Sequence, residues 1–245
     1  MIAMILAAGR GERMRPLTDH TPKPLLEVGG KALIVWHIER LVAAGIDQLV
    51  INHAHLGAQI EAALGDGRWI GAQIRYSAET LALETAGGIA YAQPWLNEQP
   101  FAVINGDIWC DYDFSRLPSF AAGMKSSGDL AHLILVDNPP QHPKGDFCLT
   151  GNRVTSFSTP SAPPNPESDI LNPDSLLTFS GIGLYQPALF ESIPRGAVAP
   201  LAPLLRAAIK QGKVSGEHHA GLWIDVGTPQ RLTELDAKLR KEAHV

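Results

Sequence analysis

The stretch that most constrains this chain is residues 6–25, LAAGRGERMRPLTDHTPKPL, which grows directly out of an apolar N-terminal run, IAMIL. An apolar, β-branched run that ends in small residues and two glycines reads as a buried strand feeding a tight loop. Gly9 and Gly11 open backbone conformations closed to other residues, so several N–H groups can converge on phosphate oxygens. Arg13 and Lys23 add a planar fork and a compact point charge to the same place. Pro16, Pro22 and Pro24 restrict the backbone that follows, and the two prolines flanking Lys23 predict an extended stretch there. Two glycines after a strand can be a tight turn and nothing more. The whole string holds what a nucleoside triphosphate requires. It lacks the Gly-Lys-Ser/Thr of a P-loop, and Arg13 stands where a dinucleotide fingerprint needs its third glycine.

Downstream, short apolar runs alternate with amphipathic segments: strands near residues 2–6, 49–52, 74–76 and 101–105, helices near 33–44, 58–64 and 88–95. Such alternation predicts an α/β fold, a mostly parallel Rossmann-like sheet with helices on both faces and ligands at the carboxyl ends of the strands. The glycine loop, Asn52 and the Asn105-Gly106-Asp107 turn each follow a strand and are therefore expected along one crevice. After residue 130 the pattern changes to strands near 133–136, 147–149, 154–157 and 178–185, read as an antiparallel insertion on the acceptor side. Residues 158–176, rich in Pro, Ser and acids without a period, read as a mobile loop. A helix near 201–211, a strand pair over 214–225 and a helix over 229–239 complete the chain. The expectation is one domain over 1–245, with a nucleotide half at 1–130, an acceptor side at 131–225 and a C-terminal helix at 226–245.

Composition narrows the partners. The formal charge of −5 offers no general attraction to nucleic acid, so phosphate binding must come from local basic residues. Cys110 and Cys148 are too few for a disulfide framework or a zinc site, and a reducing cytoplasm is the simplest setting. The N-terminal run has no basic segment before it, which reads as strand rather than signal peptide, and no stretch is long and apolar enough to span a membrane.

The string LAAGRGERMRPLTDHTPKPL resembles the signature of the sugar-1-phosphate nucleotidyltransferases, LAAGxGxRMxPxTxxxPKPL, position by position. The resemblance implies the nucleotide-diphospho-sugar transferase fold and transfer of a nucleotidyl group from a nucleoside triphosphate to a sugar-1-phosphate. It places a magnesium-binding carboxylate at Asp107 in FAVINGD, and a second at Asp225 in LWIDVGTP, which matches the family's W-x-D-x-G-T segment. Each could equally be a turn or a cap residue taken alone. It assigns Arg13 to the departing β- and γ-phosphates and Lys23 to the α-phosphate and acceptor. Around the base and ribose it points to the backbone of Leu6, Ala8 and Gly9, while Gly11 on the phosphate loop and Asn105 in the crevice are read as further substrate-binding residues. SAETLALETAGGI adds Glu79, Thr85 and Gly87, although T-x-G-G is as readily a helix start. Asn52 orients the loop, touches the nucleotide, or simply ends a strand. Gly145 in KGDF matches the position where relatives approach sugar hydroxyls.

Two departures stand out. The family's Glu-Lys-Pro after the following strand is here Phe157-Ser158-Thr159-Pro160, and a customary Asn is replaced by Phe179, leaving Lys144 or Lys213 to supply the missing charge. The segments NGDIWCDYDFSRL, LVDNPPQHPKGDF and KVSGEHHAGLWIDVGTPQRL resemble the branch that uridylylates N-acetylmuramic acid 1-phosphate with UTP in bacterial cell-wall recycling. His218 and His219 are candidates for phosphate or the lactyl carboxylate, or are solvated strand residues. The alternatives are a glucose- or mannose-1-phosphate enzyme using UTP, dTTP or GTP, and a catalytically silent nucleotide-sugar sensor. A glycosyltransferase using Asp111-Tyr112-Asp113 is a further alternative, weakened because that segment reads as a helix start.

Overall fold

The computed structural model describes residues 1–156 and 176–242. The proline-rich segment and Phe157-Ser158-Thr159-Pro160 therefore lie outside the described residues, apart from Leu176.

Strands β1 (Ile2–Leu6), β4 (Gln48–His53), β5 (Gln73–Ala78), β6 (Phe101–Asn105), β8 (Ala131–Val136) and β12 (Val214–His219) all run in one direction. Strand β11 (Leu176–Tyr185) runs against them between β6 and β8, and β9 (Phe147–Thr150) and β10 (Arg153–Ser156) extend the far edge. The order is β5-β4-β1-β6-β11-β8-β12-β10-β9, and β9 also pairs with the start of β11. The acceptor-side strands thus curl back on themselves instead of forming a separate insertion. The expected strand pair over 214–225 divides: β12 joins this sheet beside β8, whereas β13 (Trp223–Asp225) pairs with β7 (Ile108–Cys110).

Alternation along β1 builds two cores at once. Ala3 and Ile5 face a cluster with Ile34, Ile38 and Leu41 of helix α1 (Leu33–Ala43) and Ile60 of α2 (Gly57–Leu64). Met4, between them, faces Ala86 and Ile89 of α3 (Glu84–Ala92) and Leu205 of α5 (Leu201–Lys210). A strand buried on both faces has no polar side, which is why the N-terminal run is continuously apolar. Helix α4 (Leu117–Ser127), which follows the helix start read at Asp111-Tyr112-Asp113, sends Leu117 and Met124 into the first cluster.

The chain leaves β1 toward β4 and β5 and returns on the other side at β6, so the loops after β1 and β6 diverge at a topological switch point. At that point Gly106 N donates to Leu6 O at 2.9 Å, and a Cβ on Gly106 would collide with the same carbonyl. A small third cluster closes the open side. Leu235 and Leu239 of α6 (Pro229–Glu242) pack with Val226, Trp109, Leu33 and Val28, the last in a hairpin of β2 (Glu27–Val28) and β3 (Lys31–Ala32). Gly29 N, in that hairpin, donates to Asp236 Oδ1 of α6 at 2.8 Å.

Two histidines carry a pH dependence. His37 on α1 and His132 on β8 are 2% and 4% exposed, and burial lowers each from 6.5 to about 4. The unfolded chain takes up these protons near 6.5 and the folded chain does not until about 4, so stability is full above 6.5 and falls as the pH drops through that window. Urea midpoints should decline from about pH 6.5 to about pH 4.5, less steeply in a His37→Gln/His132→Gln variant. Parallel declines in the two proteins would show that these histidines do not carry the effect.

Candidate active site

The loop after β1 is stitched by its own backbone. Gly11 is left-handed, with φ 65°, and its carbonyl accepts from Met14 N and from Thr18 Oγ1, both at 2.8 Å. Met14 is fully buried and anchors the loop, while Arg13 beside it stays exposed. A Cβ on Gly9 would meet nothing, because Gly9 faces the open cavity. Lys23 is not in an extended stretch as the prolines imply. It opens a short 3-10 turn, Lys23–Leu25, in which Leu25 N donates to Pro22 O at 2.8 Å. The turn buries the Lys23 stem, and Nζ donates to Asp107 Oδ2 at 2.8 Å.

The wall of the cavity rests on a buried polar relay. Asn52, at the end of β4, accepts from Ala7 N at 2.9 Å and donates to Glu79 Oε1 at 2.7 Å. Glu79 Oε2 in turn accepts from Leu83 N at 2.9 Å. Asn52 therefore both orients the loop and lines the cavity, whereas Glu79, expected at the base or ribose, spends its carboxylate on this relay and does not line it. Gly87 is also absent from the lining. Its N–H donates to Ala199 O at 3.0 Å, and a Cβ there would strike the neighbouring backbone. Leu6, Ala8, Gly9, Gly11, Arg13, Lys23, Asn52, Thr85, Asn105 and Asp107 do converge on one cavity of about 520 Å³.

A second cavity of about 270 Å³ shares Arg13, Asn105 and Asp107 with the first and adds Phe179, Trp223 and Asp225. The two aspartates meet because β7 and β13 pair with Ile108 opposite Asp225, and Val226 N donates to Asp107 O at 3.0 Å. Asp225 Oδ2 accepts from Arg231 Nη1 of α6 at 2.7 Å. Arg231 was missed in the sequence, where only its place six residues after Asp225, in the first turn of the helix that follows, marked it. His37 Nε2 donates to Ile108 O at 2.8 Å, bracing the turn that carries Asp107. Each aspartate thus has one oxygen on a cation, and its Oδ1 has no partner among the described residues. Two unshared carboxylate oxygens at one cavity suit a hard divalent cation.

Other candidates lie elsewhere. Gly145 packs against Leu177 O and Asn138 and does not line the second cavity. Lys144 and Lys213 do not line it either, and Lys213 precedes β12 at the edge of the sheet away from the strand ends. His218 and His219 pair with Asp137 and Asp111 at 2.9 and 2.7 Å, outside this cavity. Cys110, Asp111 and His219 form a group whose ligand atoms lie within 4.8 Å. Burial raises the Cys110 thiol to about 12, which disfavours the thiolate a metal would need. Asp113 caps the 3-10 turn Phe114–Arg116 by accepting from Ser115 N, as a helix start should.

The model of the nucleotidyl transferase family matches residues 2–242. The chain belongs to that family. This nucleotidyltransferase is 54% identical over 238 residues, 97% of each chain, to the N-acetylmuramate alpha-1-phosphate uridylyltransferase of Neisseria meningitidis serogroup B. It is 34% identical, over 97% of this chain and 96% of the other, to the protein of that name from Caulobacter vibrioides. A structure from Bacillus anthracis described as a glucose-1-phosphate thymidylyltransferase shares the fold, with TM-score 0.79, 23% identity and coverage of 98% of this chain and 96% of that one.

In this nucleotidyltransferase, Asp107→Asn and Asp225→Asn should each lower turnover by about 10²–10³ without unfolding the protein, since the lost charge acts mainly in the transition state. Arg231→Ala should lower turnover by about tenfold, with Arg231→Lys recovering part of it, because the residue acts through Asp225. Turnover near that of the unaltered protein at saturating magnesium would remove the residue concerned from the site.

Proposed function

We propose that this protein transfers a uridylyl group from UTP to N-acetylmuramic acid 1-phosphate, releasing pyrophosphate and UDP-N-acetylmuramic acid. The observation that carries this reading is the 54% identity across 97% of both chains to a protein of that activity. It is supported by the confluence of Arg13, Lys23, Asp107 and Asp225 at two joined cavities.

An oxygen of the sugar phosphate attacks the α-phosphorus of UTP in line, and the bond to the bridging oxygen of the β-phosphate breaks. No side-chain nucleophile is required, because a phosphate monoester is already anionic near neutral pH; the obstacle is repulsion between two polyanions. Arg13, at the junction of the cavities, takes the leaving pyrophosphate through its fork. Lys23, held in its turn, exchanges part of its bond to Asp107 for the α-phosphate and acceptor. Leu6, Ala8, Gly9 and Gly11 present backbone to the nucleotide, with Asn52, Thr85 and Asn105 at its edges. Asp107 and Asp225 would hold magnesium, which when bound supplies neutralising charge between the two phosphates.

The chain is read as one domain, 1–245, because the sheet runs unbroken from the nucleotide half into the acceptor half through the β6–β11 pairing. A reaction that consumes UTP belongs in the cytoplasm. Its product returns a cell-wall sugar to the nucleotide-sugar pool, a place in peptidoglycan recycling.

The test is pyrophosphate release from purified protein across UTP, dTTP and GTP paired with N-acetylmuramic acid 1-phosphate, glucose 1-phosphate and mannose 1-phosphate. UTP with the muramic acid substrate should give the highest kcat/KM; a glucose or mannose pair that matched it would overturn the acceptor, and no release with any pair would favour a silent sensor. Arg13→Ala should raise the KM for UTP as well as lower the rate, whereas Lys23→Ala should act mainly on the rate and on acceptor use. Identical defects would undo that division.

A further inference from the structure

The acceptor cavity needs a group for the acidic substituent that distinguishes muramic acid from other hexosamines, and the lysines expected to provide charge are not at its wall. Among its described lining residues, the basic side chains are Arg13, shared with the nucleotide cavity, and His142, which belongs to the acceptor side alone. We propose that His142, oriented by Asp146, binds the lactyl carboxylate of the acceptor and sets the preference for it. This rests on the reading of the acceptor given above and extends it to a residue.

His142 Nε2 pairs with Asp146 Oδ1 at 3.1 Å. Asp146 Oδ2 accepts from Phe179 N at 2.9 Å, and Asp146 N donates to Leu177 O at 2.8 Å. The carboxylate is thus fixed to β11 at the bulge where the β11–β8 register shifts after Phe179. The loop bearing His142 is fixed to the same strand: Asn138 Nδ2 donates to Leu176 O at 2.9 Å, and Thr178 Oγ1 donates to Asn138 Oδ1 at 2.8 Å. The imidazole is therefore presented by a laced loop, which limits the ordering cost of binding.

With Nε2 engaged by Asp146, Nδ1 is the nitrogen left to a ligand, and it has no partner among the described residues. In the imidazolium form it donates to an anion while the opposite nitrogen donates to Asp146. Pro139, Phe179 and Trp223 line the same cavity and offer apolar surface to the methyl group and ether of a lactyl substituent. Trp223 is itself held, its Nε1 donating to Ser180 O at 2.8 Å. His142 is half exposed, so a charge-assisted bond there is worth about tenfold in binding and not the larger factors of a buried pair.

The experiment compares kcat/KM with UTP for N-acetylmuramic acid 1-phosphate and N-acetylglucosamine 1-phosphate, which differ only in the lactyl ether. The ratio is measured in the unaltered protein and in His142→Ala, His142→Lys and Asp146→Asn. His142→Ala should lower the ratio about tenfold, through the KM for the muramic acid substrate, with the KM for UTP unmoved. His142→Lys should restore most of the ratio, a rescue that a merely structural loop would not give, and Asp146→Asn should lower it less. A ratio unchanged in His142→Ala, or no rescue by lysine, would overturn the role of His142 while the acceptor stands. If the unaltered protein did not prefer the muramic acid substrate, the acceptor itself would be wrong and this role would fall with it.

Discussion

Two carboxylates brought together at one cavity repel each other unless each is given a cation, and that requirement organises this protein. Asp107 is answered from the N-terminal loop by Lys23, and Asp225 from the C-terminal helix by Arg231. The two ends of the chain must therefore dock against the same strand pair, β7 and β13, before the site exists. The small apolar cluster of Val28, Leu33, Trp109, Val226, Leu235 and Leu239 serves that docking. Its residues come from the N-terminal hairpin, α1, β7, the turn after β13 and α6, the elements that must converge to bring the four charges together. Neutralised in this way, the pair can be assembled without a bound cation, yet each aspartate keeps an unshared oxygen to receive one. The Lys23 ammonium that answers Asp107 is itself largely withdrawn from water, its stem buried by the turn that carries it.

A second constraint governs the nucleotide side. The relay from Ala7 N through Asn52 and Glu79 to Leu83 N crosses the ends of β1, β4 and β5 and reaches the start of α3. Each of its members is buried, so each must be satisfied, and a buried network that is fully satisfied fixes one arrangement. The loop after β1 and the segment that leads into α3 are thereby set relative to each other. Glu79 holds Asn52 in place through this relay. From sequence alone an acid in that position shows its chemistry and not its partner within the protein.

Such partners divide what was legible from what was not. The strand and loop at residues 2–25 could be read because their signals are local: apolar run, glycines, basic residues and prolines in one string. The parallel core followed from the alternation of periods, and Asp107 and Asp225 from resemblance. The 3-10 turn at Lys23–Leu25 was hidden because a proline tolerates the first turn of a helix as readily as an extended strand. Arg231 was hidden because its role depends on α6 folding back to Asp225 through a turn. The division between β12, which enters the main sheet, and β13, which pairs with β7 over a hundred positions earlier, has no local signal at all, since both read as short strands of similar composition. The close approach of Gly145 to Leu177 and Asn138 likewise has no local signal in the KGDF motif.

The two cavities also differ in how their walls are made. The nucleotide cavity is walled by the ends of parallel strands buried on both faces, where any change of register would disturb both cores at once. The acceptor cavity is walled by a loop, a bulged antiparallel strand and the end of β13, tied together by side-chain and backbone hydrogen bonds that a change of sequence can redraw without moving the core. The first cavity is therefore tied to the packing of both cores, while the second departs from the family pattern at Phe179 within the same fold. Residues in the wall of the second cavity can be exchanged at less cost to the fold, because the loop and strand ends that carry them bear little of the folding load.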